Sequence, residues 1–152
     1  MSIIRLETKI KASAKTCFDI SRTVEAHTDS FAHTKEKVVA GRMSGLFELN
    51  DWVTWEANHF GIRQRLTVRV TKMEPYTMFE DRMVKGAFRS FEHQHYFEQQ
   101  GDYTIMKDVF TYEVPGWIIG KLFDALILKR YMTKLLETRN EAIKRTAEVR
   151  IG

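Results

Sequence analysis

The sequence contains few cysteines and few prolines. Its single cysteine, Cys17, cannot form an internal disulfide bond, which excludes a disulfide-stabilised secreted scaffold. Its two prolines, Pro75 and Pro115, both stand at expected element boundaries, where they interrupt no strand or helix. The chain does have 10 Phe, 5 Tyr and 3 Trp among 152 residues. This is enough apolar material for one packed domain, which we expect to span residues 1–152.

Long hydrophobic runs are also missing. The most apolar stretch, Trp117–Leu128, is interrupted by Lys121 and Asp124 and is shorter than the roughly 20 apolar residues that a membrane-spanning helix needs. No apolar signal core follows Met1. We therefore expect a cytoplasmic protein without a membrane span.

The charge is mildly positive and evenly spread. Lys and Arg number 24 against 20 Asp and Glu, which gives a formal net charge of +4. No run of basic residues, zinc-ligand spacing or stacked aromatic motif accompanies this excess, so we interpret it as solvated surface and expect no nucleic-acid partner. Gly61 and Gly86 stand in expected turns without a phosphate-cradling spacing, and we expect no cofactor. The oligomeric state stays open.

Hydrophobic periodicity predicts an α+β fold. Alternation over Ile3–Lys11 indicates a strand, followed by two short helices at Ala14–Ser21 and around Val24–Phe31. Period-two segments separated by short turns then predict six strands of an antiparallel meander: Thr34–Met43, Trp52–Phe60, Ile62–Met73, Thr77–Val84, Phe88–Gln99 and Tyr103–Val114. After Pro115, apolar residues recur at steps of three and four, which is typical of one long helix. We expect that helix to cover the concave face of a curved sheet of six to seven strands.

Such an arrangement predicts a cavity. A sheet of this width twists and curls, and one helix about 10 Å wide cannot fill the concavity. Taking the more apolar side of each strand as the inner face, we expect His59, Gln64, Asp81, His93, His95 and Asp108 to be the polar groups on an apolar lining. The apolar candidates for ligand contact are Trp55, Leu66, Phe79, Met83 and Phe110 from the strands and Leu122 and Leu126 from the long helix. Arg63, Arg65 and Arg69 would then face water.

The inward polar groups have two interpretations each. His93 and His95 stand at i and i+2, so both rings point the same way and could ligate a metal with His59, Asp81 or Asp108, but we favour paired core histidines and expect no metal. Asp81 and Asp108 could act with a histidine as general acid or base. We favour hydrogen bonds between Asp and His on neighbouring strands that fix the register. Cys17 is expected to be an inert buried thiol.

Three stretches of the chain resemble a known family. They are Val53–Gly61 with Gln64–Thr67 after it, Phe79–Phe88, and the pair His93 and His95 with Phe97. Together they resemble the START-like superfamily, also called the SRPBCC or polyketide cyclase/dehydrase and lipid transport group, and within it the small bacterial members. The resemblance implies a helix-grip fold whose cavity takes lipids, polyketides, hormones or other hydrophobic molecules. It implies no catalytic residue.

Three functions follow as hypotheses. We favour a non-catalytic binding or carrier protein for a hydrophobic small molecule. The enzyme alternative is a cyclase, aromatase or dehydratase in which Asp81, His93, His95 or Asp108 transfers protons. The third is a protein-interaction module, which would have a filled interior.

Overall fold

The described part of the chain forms a seven-stranded antiparallel sheet and three α-helices in a computed structural model that describes residues 1–116 and 124–149. The strands are β1 (Ser2–Ile10), β2 (Lys37–Gly41), β3 (Trp52–His59), β4 (Ile62–Glu74), β5 (Met78–Lys85), β6 (Ser90–Gln100) and β7 (Tyr103–Glu113). The helices are α1 (Ala14–Ser21), α2 (Val24–Ser30) and α3 (Lys129–Val149). The predicted order of elements and the α+β helix-grip architecture are confirmed.

The sheet is a meander of six strands, and the first strand of the chain is added at one edge. Its order is β1-β7-β6-β5-β4-β3-β2, so each strand from β2 to β6 pairs with the next along the chain. Apart from residues 42–51 between β2 and β3, the connections have two to four residues, since antiparallel neighbours need only a hairpin between them. β1 joins the far edge by pairing with β7, with Leu6 opposite Asp108.

The helices pack on the concave side of the sheet. Ser13 caps α1 by accepting a hydrogen bond from the Thr16 amide, as its position before the apolar run predicts. The expected burial of Cys17 is confirmed, and burial raises the pKa of its thiol. Ile143 of α3 belongs to the same apolar cluster as Cys17. No helix in the described part of the chain is long and apolar enough to cross a membrane.

The outer face carries the arginines that alternation predicts there. Arg63, Arg65 and Arg69 are exposed. Arg63 and Arg65 donate to the carboxylate of Glu56 on β3, at 2.9 and 2.8 Å. Glu56 is itself buried, because long guanidinium side chains cover it, and paired charges of this kind tolerate burial better than an isolated one.

Two predicted elements differ in the structure. The strand expected from Thr34 begins only at Lys37, because Ala32–Thr34 forms a 3-10 turn and Lys35 follows it in a left-handed conformation with φ of 57°. The C-terminal helix is α-helical from Lys129, and Asp124–Leu128 before it forms a π-helical turn. A π turn takes more residues than an α turn, so it shifts which side chains face the sheet.

Candidate functional site

A cavity of about 590 Å³ lies between the concave face of the sheet and α3. Its wall is mostly apolar, with Val53, Ala57 and Leu66 from the strands and Leu135 and Leu136 from α3. This volume falls within the range of roughly 300 to 1,000 Å³ that is usual for small-molecule sites.

Nine of the thirteen ligand-contact residues predicted from the sequence lie on the cavity wall. They come from the inner faces of β3 to β7, which side-chain alternation identifies. The nine are Trp55, His59, Gln64, Leu66, Phe79, Asp81, His93, His95 and Phe110.

Of the other four, the structure describes three, and these lie elsewhere. Leu126 is 57% exposed, and in the π-helical turn it is Leu128, two residues on, that lines the cavity. Met83 packs at the edge of the wall, where its sulfur and Leu66 crowd Gly86. Asp108 is fully buried beneath the imidazoles of the wall rather than on its surface. Leu122 lies outside the described residues.

Two carboxylate–imidazole pairs form the polar floor of the cavity. His93 Nε2 lies 2.7 Å from Asp108 Oδ1, and His95 Nε2 lies 2.8 Å from Asp81 Oδ2. Both pairs join neighbouring strands, as expected, but both are diagonal. His95 stands opposite Asp108 in the register, and His93 stands opposite Asp81. The two rings stack with 3.7 Å between their centroids.

α3 completes this cluster from the opposite side. Arg139 Nη2 donates to Nδ1 of His95 at 3.2 Å, and Nη1 donates to the Asn140 side-chain oxygen at 2.9 Å. Asn140 Nδ2 donates to Oδ2 of Asp108 at 2.7 Å. Both oxygens of the buried Asp108 carboxylate therefore accept hydrogen bonds, which compensates for their removal from water.

The hydrogen bonds decide the charge state of the cluster. Burial alone would raise the pKa of Asp108, but the hydrogen bond from His93 and the charge of Arg139 hold it well below its ordinary value. Burial likewise opposes ionisation of Asp81, yet the hydrogen bond from His95 lowers its pKa. Burial lowers the pKa of His93 to about 4. At neutral pH both aspartates are ionised and His93 is neutral.

A second polar pair on the wall joins His27 of α2 to Glu36, the residue before β2. Glu36 Oε1 lies 2.5 Å from Nδ1 of His27, and the imidazole stacks on Trp55 with 4.1 Å between the centroids. All three residues line the cavity. A wide aromatic surface next to a carboxylate suits a flat apolar group with a polar edge.

The cavity opens beside the turn between β3 and β4. Phe60 and Ile62 line it there, yet both are at least half exposed. His59 Nδ1 lies 2.6 Å from the hydroxyl of Tyr131, which belongs to the first turn of α3. Burial lowers the pKa of His59 and raises that of Tyr131. This hydrogen bond joins the two sides of the opening.

Asp81, His93 and His95 also bring three ligand atoms within 4.8 Å of one another, a spacing at which a metal ion could bind. The cluster is poorly suited to a metal ion, however. The Arg139 guanidinium cannot accept a hydrogen bond, so Nδ1 of His95 must keep its lone pair and the ring proton stays on Nε2, facing Asp81. A metal ion could bind Nε2 only by displacing that proton. The positive charge of the Arg139 guanidinium nearby would also repel the ion.

A family model for polyketide cyclase/dehydrase and lipid transport proteins matches residues 10–132. The chain belongs to this family. The family resemblance predicted from the sequence is thereby confirmed, and with it a fold that binds hydrophobic ligands. No curated protein matches this member of the polyketide cyclase/dehydrase and lipid transport family by sequence.

Solved structures share the fold at low sequence identity. The protein TTHA0849 from Thermus thermophilus is 20% identical with a TM-score of 0.74, over 96% of this chain and 99% of that one. A START superfamily protein from Mycobacterium smegmatis is 17% identical with a TM-score of 0.71, over 96% and 97%. Norcoclaurine synthase from Thalictrum flavum, in complex with dopamine and hydroxybenzaldehyde, is 13% identical with a TM-score of 0.69, over 95% and 85%.

Among the polar residues that sequence reasoning missed in this family member, His27, Glu36, Tyr131 and Arg139 line the cavity, and Asn140 binds Asp108 beneath it. A signal existed for Arg139 alone. It stands four residues from both Leu135 and Ile143, on the buried stripe of α3, where a charged residue needs a buried partner. His27 and Glu36 lie in short segments without a repeating pattern, and only the folded chain brings them together.

Proposed function

We propose that this protein binds a hydrophobic small molecule in the cavity between sheet and α3, as a binding or carrier protein. The observation that carries the proposal is a cavity of about 590 Å³ with an apolar wall and a hydrogen-bonded polar floor. Apolar contact would supply affinity at about 25 cal/mol per Å² of buried surface. The floor would orient the ligand, because a polar group left unpaired there is costly.

Native mass spectrometry of freshly purified protein, followed by solvent extraction, tests this proposal. We expect an apolar compound to travel with the protein, or to be taken up when offered. Ala57→Phe places a large ring in the cavity from the inner face of β3 and should abolish uptake. Asn58→Phe adds the same ring on the outer face of the same strand and should leave uptake unchanged. Equal loss in both variants, or no uptake by the unmodified protein, would contradict the proposal.

A cyclase or dehydratase-like enzyme is the second candidate, and one observation favours it. The Asp81–His95 pair, 2.8 Å long, faces the cavity and joins a carboxylate to an imidazole, as proton transfer requires. Enzymes occur on this fold, as the norcoclaurine synthase structure illustrates. The two functions separate in one variant. His95→Gln should stop product formation while ligand binding persists if the protein is an enzyme, and should alter only affinity if it is a carrier.

A further inference from the structure

The protons of the cavity floor have fixed positions. Arg139 has only donors, so Nδ1 of His95 is an acceptor, and its Nε2–H donates to Asp81. Asp108 is ionised and accepts from His93, so the proton of that ring is also on Nε2. Nδ1 of His93 therefore presents a lone pair. The single N–H of each imidazole therefore donates to a carboxylate, and neither ring has a donor left for a ligand.

In the floor, the groups left facing the cavity are acceptors. Asp81 lies on the wall with 21% of its side chain exposed. Its Oδ2 is bonded to His95, and within residues 1–116 and 124–149 nothing donates to its Oδ1. The cluster contains two carboxylates, Asp81 and Asp108, and one guanidinium, Arg139. With both imidazoles neutral it carries one net negative charge.

The pair of His27 and Glu36 also presents a hydrogen-bond acceptor to the cavity. The Glu36 side chain is 6% exposed and faces the cavity with Oε1 bonded to His27. Oε2 has no donor among the residues that the structure describes. Two further charged residues touch the wall, and each already has a partner of opposite charge: Arg65 pairs with Glu56, and Asp51 with Arg42.

We propose that the ligand is an apolar molecule whose head group donates hydrogen bonds, an amine or a hydroxyl, and carries no negative charge. This inference rests on the proposed function and names its ligand class. The head group donates a hydrogen bond to Oδ1 of Asp81. A carboxylate head group would meet a net negative cluster whose donors are already committed, since the guanidinium of Arg139 is bonded to Asp108, Asn140 and His95.

Three matched probes test the head group: 2-(2-naphthyl)ethylamine, 2-(2-naphthyl)ethanol and 2-naphthylacetate, titrated into the full chain by calorimetry at neutral pH. We expect the amine or the alcohol to bind at least about tenfold more tightly than the carboxylate, the worth of one hydrogen bond to a charged group. Tighter binding of the amine would assign an ammonium, and tighter binding of the alcohol a hydroxyl.

Asp81→Asn should reduce the ratio of amine to carboxylate affinity at least about tenfold, because it removes the negative charge at the head group. Asp102→Asn makes the same charge change in the exposed turn between β6 and β7 and should leave the ratio unchanged. Circular dichroism checks that both variants fold. If Asp81→Asn does not fold, the relative affinities of the unmodified protein for the three probes decide which head group is bound.

The outcomes separate the two proposals. Binding of all three probes with the carboxylate equal or tighter would overturn the head-group inference and leave the binding function standing. An unchanged ratio in folded Asp81→Asn would overturn the placement of the head group on that residue. Binding of none of the three would overturn both.

Discussion

Arg139 Nη2 lies 3.2 Å from Nδ1 of His95, and this contact joins the C-terminal helix to the middle of the sheet. Both side chains are buried. The guanidinium fixes the tautomer of His95, and through it the direction of the hydrogen bond to Asp81. One residue of α3 thereby determines which atoms of the cavity floor accept and which donate.

Removing this guanidinium should destabilise the fold. Arg139→Met leaves the buried Asp108 without its compensating charge, and we expect a loss of about 3 to 5 kcal/mol in the free energy of unfolding, measured by urea denaturation. Arg145→Met, at an exposed position of the same helix, should change that free energy by less than about 0.5 kcal/mol. Equal effects of the two variants would show that the Arg139 contact contributes nothing.

Stability should fall as the pH drops from about 6.5 towards 4. The pKa of His93 is about 4 in the folded chain and about 6.5 in an unfolded one. Between these values the unfolded chain binds a proton that the folded chain does not, so protonation favours unfolding, by on the order of 3 kcal/mol in total.

Urea denaturation across that pH range measures the effect, and His93→Gln supplies the control. Its amide can still donate to Asp108, but it does not titrate, so most of the pH dependence should disappear. His59 contributes the remainder with the same sign, since burial lowers its pKa as well. Constant stability of the unmodified protein between pH 6.5 and 5 would contradict the buried, neutral state of His93.

The opening of the cavity should control ligand release. Tyr131→Phe removes the hydroxyl that lies 2.6 Å from His59, at a cost in stability below about 1.5 kcal/mol. We expect bound 2-(2-naphthyl)ethylamine or its alcohol to dissociate several-fold faster in a stopped-flow displacement measurement. Tyr96→Phe, on the exposed face of β6, should leave the rate unchanged. A rate that does not respond to Tyr131→Phe would place the exit elsewhere.

The three close ligand atoms of Asp81, His93 and His95 should not bind a divalent metal at equimolar concentration. Co²⁺ is a suitable probe, because coordination by histidine gives visible absorption bands. We expect no such bands from the unmodified protein, since Arg139 adds a positive charge and holds the His95 proton on Nε2. Stoichiometric absorption would mean that the hydrogen-bond pattern assigned to this cluster is wrong.

The sequence predicted the sheet and the residues on its inner face because both depend on a local pattern. On β4, alternation assigned Leu66 and Val68 inward and Arg63 and Arg69 outward, and the structure agrees. The pattern extends from strand to strand because residues opposite in the register share a face.

What the sequence did not predict depends on distant parts of the chain. The diagonal pairing of His93 with Asp108 follows from side-chain rotamers, which alternation does not specify. Arg139 reaches His95 across 44 positions of sequence. The outward position of Leu126 follows from a π-helical turn that no residue pattern indicated.

The pairing of β4 with β5 shifts register twice, between Thr67 and Val68 and between Val70 and Lys72. Such irregularities bend a strand and increase its twist, so the curvature of the sheet is built into its own backbone hydrogen bonds. The concave shape is then preorganised, and a ligand loses little affinity to ordering the chain. Amide hydrogen exchange in these two strands should accordingly be equally slow in the empty and the occupied protein.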